Sequence, residues 1–326
     1  MDFTWDDGER IVRFGHGAVA DAPELLGDGY VLLTTPRALG HAPELGEDAA
    51  AVHHVGPGRV DELAAELLGV AAPGALLVAF GGGRVIDVAK AIAGTVEGTR
   101  VAAIPTTLSG AEMTGGHRRA RGAEGRSRSV RPAIVINSPA FSASQPVAEL
   151  AGSTANALAH AVEGVATTRA SPVPTLAARE AQRLIDAAWL FEDEDPTPVG
   201  REQLALAALL AGYAIGAAGY GLSHIMSQTL ARIGGAGHGQ ANAAVLPVAI
   251  GALESRAPGR VDPDGSLAAL ARRLARRAGA DGIRRLGIDA PTLDDCADAA
   301  ARRAELDLTP PRAHRDELRA LYAQAW

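Results

Sequence analysis

The sequence predicts an α/β domain with a parallel sheet over residues 1–143, followed by an all-α domain over residues 144–326. Three observations predict it. Short apolar runs alternate with segments of helical period in the first part, the alternation stops near Ser144, and Ala- and Leu-rich helical sequence fills the remainder. A length of 326 residues also exceeds the usual single core, so two domains are expected on size alone.

In chain order, residues 30–34, 50–55, 75–80, 101–104 and 133–137 read as strands. Residues 60–68 and 85–93 carry apolar side chains at 3.6-residue spacing and read as helices between them, which makes a parallel sheet covered on both faces. Residues 115–131 are polar, glycine-containing and dense in arginine, and are expected to form a mobile surface loop or a hairpin. In the second domain the helical sequence breaks at 171–174, 193–200, 234–237, 258–265 and 309–311, where Gly, Pro and small polar residues gather. Residues 204–222 carry no charge over a membrane-spanning length. Their apolarity comes from Ala and Gly, and Tyr213, Gly216 and Gly219 suit close helix packing, so a buried core helix is expected.

The net charge of −7, without long like-sign blocks, gives no footprint for nucleic acid or an anionic membrane, and leaves a small molecule as the expected partner. The lone cysteine, Cys296, excludes an intrachain disulfide framework and a cysteine-rich metal cluster. No basic-then-apolar leader opens the chain, so a cytoplasmic protein is expected. Of 31 basic Lys and Arg residues only Lys90 is lysine, which suggests that a compact ammonium is wanted there.

Four segments carry chemistry. After the strand at 75–80, Gly81-Gly82-Gly83 precede the helix opening Arg84-Val85-Ile86-Asp87. Glycines let a backbone approach phosphate and the helix start offers free amides, although a ligand-free turn fits the same spacing. The loop Pro105-Thr106-Thr107-Leu108-Ser109-Gly110-Ala111-Glu112 follows the next strand with three hydroxyls, which serve a diphosphate or a helix cap. Asn156 and His160 lie four apart on one helix face, with Glu163 following. Finally, His224 and the run His238-Gly239-Gln240-Ala241-Asn242 supply two more histidines, able to bind a dication, move protons or hydrogen-bond in a core.

Taken together, the order and spacing of Gly81 to Lys90, Pro105 to Thr107, Asn156 to Glu163, His224, and His238 to Asn242 resemble the iron-containing alcohol dehydrogenase family. The wording at 104–114 and 156–163 is similar to its maleylacetate reductase branch, whereas Arg84 after the glycines is similar to glycerol-1-phosphate dehydrogenases. The resemblance implies a dehydroquinate synthase-like fold and an NAD(P)H-dependent reductase of a small anionic carbonyl or enone lodged between the domains. It implies that Thr34, Pro36, Gly81, Gly82, Gly83, Asp87, Lys90, Thr106, Thr107 and Ser109 hold the dinucleotide, and that His160, His224 and His238 polarise or protonate the substrate. Arg118 and Arg119 would pair substrate carboxylates. A homodimer or larger assembly is implied as well.

The family's iron or zinc ligand set would fall on Asn156, His160, His224 and His238. An amide at Asn156 replaces the usual aspartate and removes the site's only anionic charge, which makes metal-independent action credible. Gln228 replaces a common histidine, and the arginine loop matches no reductase pattern. After residues 30–34 the chain reads Thr34-Thr35-Pro36-Arg37, with no acidic group to reject a 2′-phosphate, so NADH and NADPH both fit. A metal-dependent alcohol dehydrogenase and a non-redox enzyme on the same fold are the alternatives.

Overall fold

The computed structural model describes residues 1–326 except 124, 126, 192 and 193, and the chain divides into two units, Met1–Ser144 and Gln145–Trp326. The first holds seven strands: β1 (Phe3–Asp6), β2 (Ile11–Phe14), β3 (Val31–Thr34), β4 (Ala51–His54), β5 (Leu76–Gly81), β6 (Arg100–Pro105) and β7 (Ile134–Asn137). Its helices are α1 (Ala22–Leu26), α2 (Pro36–Leu39), α3 (Glu44–Glu47), α4 (Val60–Glu66), α5 (Gly83–Thr95) and α6 (Pro139–Ser142).

The strands form one sheet in the order β1-β2-β7-β6-β5-β3-β4, parallel throughout except for the β1–β2 pair. From β3 the chain steps outward to β4 and then returns to β5 on the other side, so the order reverses between β3 and β5. The loops leaving these strands therefore diverge to opposite faces, which opens the crevice where doubly wound sheets bind ligands. Within β5 the side chains divide strictly by the two-residue period. Leu77 and Ala79 join Leu33, Val101, Ala103 and α5 on one face, while Val78 and Phe80 join Leu32, Ala102, Ile104 and Ile136 on the other. Each fully buried Leu or Phe contributes about 1.5–3 kcal/mol of hydrophobic stabilisation, so this central strand fixes the carboxyl edge of the sheet.

The β1–β2 hairpin had no place in the strand reading, because Asp6 and Arg13 interrupt its two short strands and leave no continuous apolar run. Its signal was the turn Asp7-Gly8, where Gly8 takes φ +82° and the Asp7 carboxylate accepts from the Glu9 and Arg10 amides. The arginine-rich segment is loop, and hydrogen bonds join its described residues to the rest of the unit. Lys90 Nζ donates to Gly116 O at 2.7 Å, the Arg121 amide to Asp61 O, and the Arg128 guanidinium to Ala93 O and Thr99 O. Arg126 lies outside the described residues.

The second unit comprises α7 (Val147–Ala166), α8 (Pro172–Ala188), α9 (Pro198–Ala218), α10 (Leu222–Ile233), α11 (His238–Arg256), α12 (Ser266–Arg277), α13 (Thr292–Ala301) and α14 (Arg315–Gln324). Helix α7 is its centre, packed by α8, α9, α11 and α12, and nearly every residue from Leu150 to Val165 is buried. Small residues permit this: a Cβ on Gly239 would lie 3.2 Å from the Gly152 carbonyl carbon, so α7 and α11 cross backbone to backbone. The break at 171–174 is the proline-led start of α8, and 234–237 separates α10 from α11. The break at 193–200 ends with the start of α9 at Pro198, its first residue, Asp193, being outside the described residues. The charge-free stretch 204–222 is most of α9, a further break at Gly219 with φ +73°, and the first residue of α10. Among the described residues no single helix is long and apolar enough to cross a membrane. The pair α9 and α10 reaches that length and apolarity only jointly, and bends by 104° between them.

Candidate functional site

In the first unit, the loops after β5 and β6 pack against one another at the carboxyl edge. Gly81 pairs with Pro105 across the strands, and the Thr106 amide donates to Gly81 O at 3.0 Å. The glycines are required by this neighbour: a Cβ on Gly83 would lie 2.9 Å from Ser109 Cβ, and one on Gly82 would lie 3.0 Å from Thr107 Cγ2. Gly82 serves as the N-cap of α5 with no side chain to cap it, so the positive end of a thirteen-residue helix opens beside the hydroxyls of Thr106, Thr107 and Ser109. Gly82, Gly83, Thr106, Thr107 and Ser109 are all partly accessible. This chemistry fits a diphosphate: a helix N-terminus with its dipole and neutral hydroxyl donors beside it.

Other residues expected at the cofactor are placed differently. Thr34 is fully buried and its hydroxyl turns to the Thr35 carbonyl, while Thr35 caps α2 through the Ala38 amide. Pro36 is exposed at the first position of α2, and Gly81 is buried against Val85. Lys90 is fully buried. Its ammonium has four oxygen neighbours: Asp87 Oδ1 at 2.9 Å, Ala111 O at 3.1 Å, Thr114 Oγ1 at 3.4 Å and Gly116 O at 2.7 Å. Three N–H donors are thereby committed, so the single lysine fastens residues 111–116 to α5 and does not itself reach a phosphate. Beside it Glu112 is buried, with Oε2 unpartnered, and burial pushes its carboxyl up to about 7 against the attraction of Lys90 and Arg10. Arg118 is half exposed and faces Asp61 at 3.9 Å, so a protein carboxylate already attends it; Arg119 is exposed in the same segment.

In the second unit the imidazoles gather. His160 on α7 and His224 on α10 stack with ring centroids 4.7 Å apart and planes 12° from parallel. His160 Nδ1 and His224 Nε2 are buried with no hydrogen-bond partner, as is Asn242 Oδ1 nearby on α11. Burial, reinforced by the neighbouring His224 and His238, holds His160 well below the ordinary imidazole pKa, so it is a neutral ring. Asn242 ties the cluster together: its Nδ2 lies 3.2 Å from Asn156 Oδ1, 3.3 Å from His238 Nε2 and 3.0 Å from His238 O. Thus the fold brings Asn156, His160, His224 and His238 to one place, with His238 at the exposed start of α11.

These four side chains do not fit a dication as they stand. A metal lies close to the plane of each imidazole that binds it, and one ion cannot lie in two nearly parallel stacked planes. The Asn242 amide hydrogens are directed at the oxygen of Asn156 and the Nε2 of His238, which are the atoms a metal would need. Among the described residues no group of three or more His, Cys, Asp or Glu side chains is arranged to hold a metal ion.

Sequence reasoning assigned no role to three groups in this unit. Glu163, three residues beyond His160, contacts His224; Asn242 bridges Asn156 and His238; and Arg303 donates from Nη2 to Gln228 Oε1 and to Glu305, whose carboxylate also receives the Tyr220 hydroxyl. The first two were visible as fixed intervals from a histidine. Arg303 has no such signal, being 75 residues from Gln228.

A doubly wound sheet with phosphate-fitting loops at its switch point defines a dinucleotide-dependent protein, and the buried imidazoles supply the polar chemistry an oxidoreductase needs on a small substrate. Residues 150–277 match the model of the Fe-containing alcohol dehydrogenase family, C-terminal. Maleylacetate reductase from Sphingobium indicum is 33% identical over 83% of this chain and 84% of its own. Maleylacetate reductase 1 from Rhodococcus opacus is 29% identical over 100% of this chain and 96% of its own. The crystal structure of maleylacetate reductase from Agrobacterium tumefaciens superposes with TM-score 0.80 at 26% identity, covering 99% of this chain and 97% of that one. The chain belongs to the Fe-containing alcohol dehydrogenase family and is an NAD(P)-dependent oxidoreductase.

Proposed function

We propose that the protein reduces a small anionic carbonyl or enone, in the manner that the name maleylacetate reductase states for its relatives. The observation that carries this reading is the stacked pair His160 and His224, with two buried ring nitrogens unpartnered at one place. Buried polar atoms without partners cost about 1–3 kcal/mol each, a cost relieved when a polar ligand arrives.

Bound at Gly82, Gly83, Thr106, Thr107 and Ser109, the nicotinamide cofactor supplies a hydride. The neutral His160 donates one N–H to a substrate oxygen and polarises it, His224 exchanges the proton, and His238 with Asn156 and Asn242 orients the remaining polar atoms. Within the same reading Arg118 and Arg119 pair substrate carboxylates, as guanidinium geometry allows. The absence of an acid after β3 leaves NADH and NADPH both acceptable. A cytoplasmic dimer or larger assembly completes the proposal.

The test titrates NADH and NADPH into metal-analysed protein, adds maleylacetate, and follows nicotinamide absorbance with and without chelator. Chelator-resistant oxidation is the expected result. Oxidation abolished by chelator and restored by iron or zinc would favour the metal-dependent alcohol dehydrogenase, and binding without oxidation would overturn the reductase reading.

A further inference from the structure

We propose that Glu163 is the positioning residue that fixes the tautomer of His224, holding Nδ1 so that Nε2 is the only ring nitrogen left to exchange a proton with substrate. The inference deepens the reductase reading above and rests on it for the role of His224, while the tautomer itself can be observed without any substrate.

Glu163 sits on α7 and is fully buried. Its carboxylate has three N–H donors, all from the start of α10. Oε1 accepts from the Gly221 amide at 3.0 Å and the Ser223 amide at 2.8 Å, and Oε2 from His224 Nδ1 at 2.5 Å. Gly221 is the N-cap of α10 and has no side chain to accept the helix's first amides, so a carboxylate from another helix does that work. One group thereby anchors both the backbone turn that presents His224 and the ring itself. His160 lies against the face of the ring and Tyr220 is tilted toward it at 5.6 Å, which leaves little freedom for rotation. Nε2, on the far side of the ring from Glu163, is buried and has no protein partner.

The tautomer follows from donor counting. A carboxylate only accepts, so Nδ1 must carry the proton and Nε2 keeps the lone pair in the neutral ring. In the reductive direction Nε2 takes up a proton from solvent and passes it to the substrate oxygen or carbon as the hydride arrives, which returns the ring to its neutral Nδ1–H form; in the reverse direction Nε2 takes the proton from the substrate hydroxyl. The third group of a nucleophile–base array orients its histidine by the same logic.

Glu163→Gln tests this specifically. Two backbone amides still demand an oxygen at the Oε1 position, which turns the carboxamide NH2 toward His224 Nδ1. That nitrogen must then accept, and the proton moves to Nε2. A purely structural role for Glu163 predicts that the inversion leaves kcat unchanged.

The experiment records long-range proton–nitrogen spectra of ring-labelled histidine at fixed pH for the whole protein and for E163Q, with His224→Asn for assignment. Unfolding temperature, NAD(P)H affinity, KM and kcat are measured in parallel. Expected are a protonated Nδ1 in the parent, a protonated Nε2 in E163Q, and a kcat lower by about 10²-fold or more with KM and NAD(P)H affinity within about threefold. A protonated Nε2 in the parent overturns the proposal even if E163Q does not fold. An unchanged tautomer in folded E163Q, or an inverted one with unchanged kcat, overturns it as well. If the parent turns over no substrate, the spectra still decide the tautomer and only the reductase reading falls.

Discussion

Glu112→Gln is expected to abolish a pH-dependent loss of stability in the first unit. Glu112 is 1% exposed, its Oε2 has no partner, and burial outweighs the attraction of Lys90 and Arg10 to place its carboxyl near 7 instead of the ordinary 4.5. A raised folded-state pKa means that the native state holds a proton the unfolded chain has released. Stability is therefore fully present below about 4.5 and declines as pH rises to about 7, beyond which the loss is complete. The difference of about 2.5 units, at 1.36 kcal/mol each, corresponds to about 3 kcal/mol. For a unit of this size that is roughly 6–12 °C in Tm. Gln keeps the shape and cannot ionise, so its burial cost is constant with pH. Calorimetry of parent and variant at pH 4.5, 6, 7 and 8 should show E112Q gaining about 3 kcal/mol on the parent between the extremes. A difference that stays constant to within about 0.5 kcal/mol would refute the reasoning, since it would mean that Glu112 ionises in the folded chain as easily as in the unfolded one.

Three further substitutions probe the construction around the sites. Gly83→Ala places a methyl 2.9 Å from Ser109 Cβ and should weaken NADH binding by about tenfold, as read by fluorescence titration. Lys90→Met leaves Asp87 and the carbonyls of Ala111 and Gly116 without their donor, and should lower the stability of the first unit by about 3–5 kcal/mol in calorimetry. Gly239→Ala meets the Gly152 backbone at 3.2 Å, which cannot yield as a side chain would, and should cost the second unit about 1–3 kcal/mol.

What was legible in the sequence was what depends on neighbours along the chain. The apolar runs of β3, β5, β6 and β7 were readable because their burial on both faces imposes a local pattern, and α5 because its buried face recurs at the helical period. The β1–β2 hairpin escaped because Asp6 and Arg13 interrupt its short strands, which leaves no continuous apolar run. Spacing also picked out Asn156, His160, His224 and His238, and the structure assembles all four.

Tertiary structure alone decided what each of these residues meets. Lys90 looked like a cofactor ligand, yet the loop at 111–116 surrounds its ammonium with oxygen, because a buried cation must be solvated by protein. Arg118 looked free for a substrate, yet α4 offers it Asp61. Glu163 and Asn242 gained their roles from helices 60 and 86 residues away in sequence, where the packing of small residues lets backbones approach. Periodicity reports which face of an element is buried, whereas hydrogen-bond partners and pKa values depend on what lies across that face, and only the folded chain supplies it.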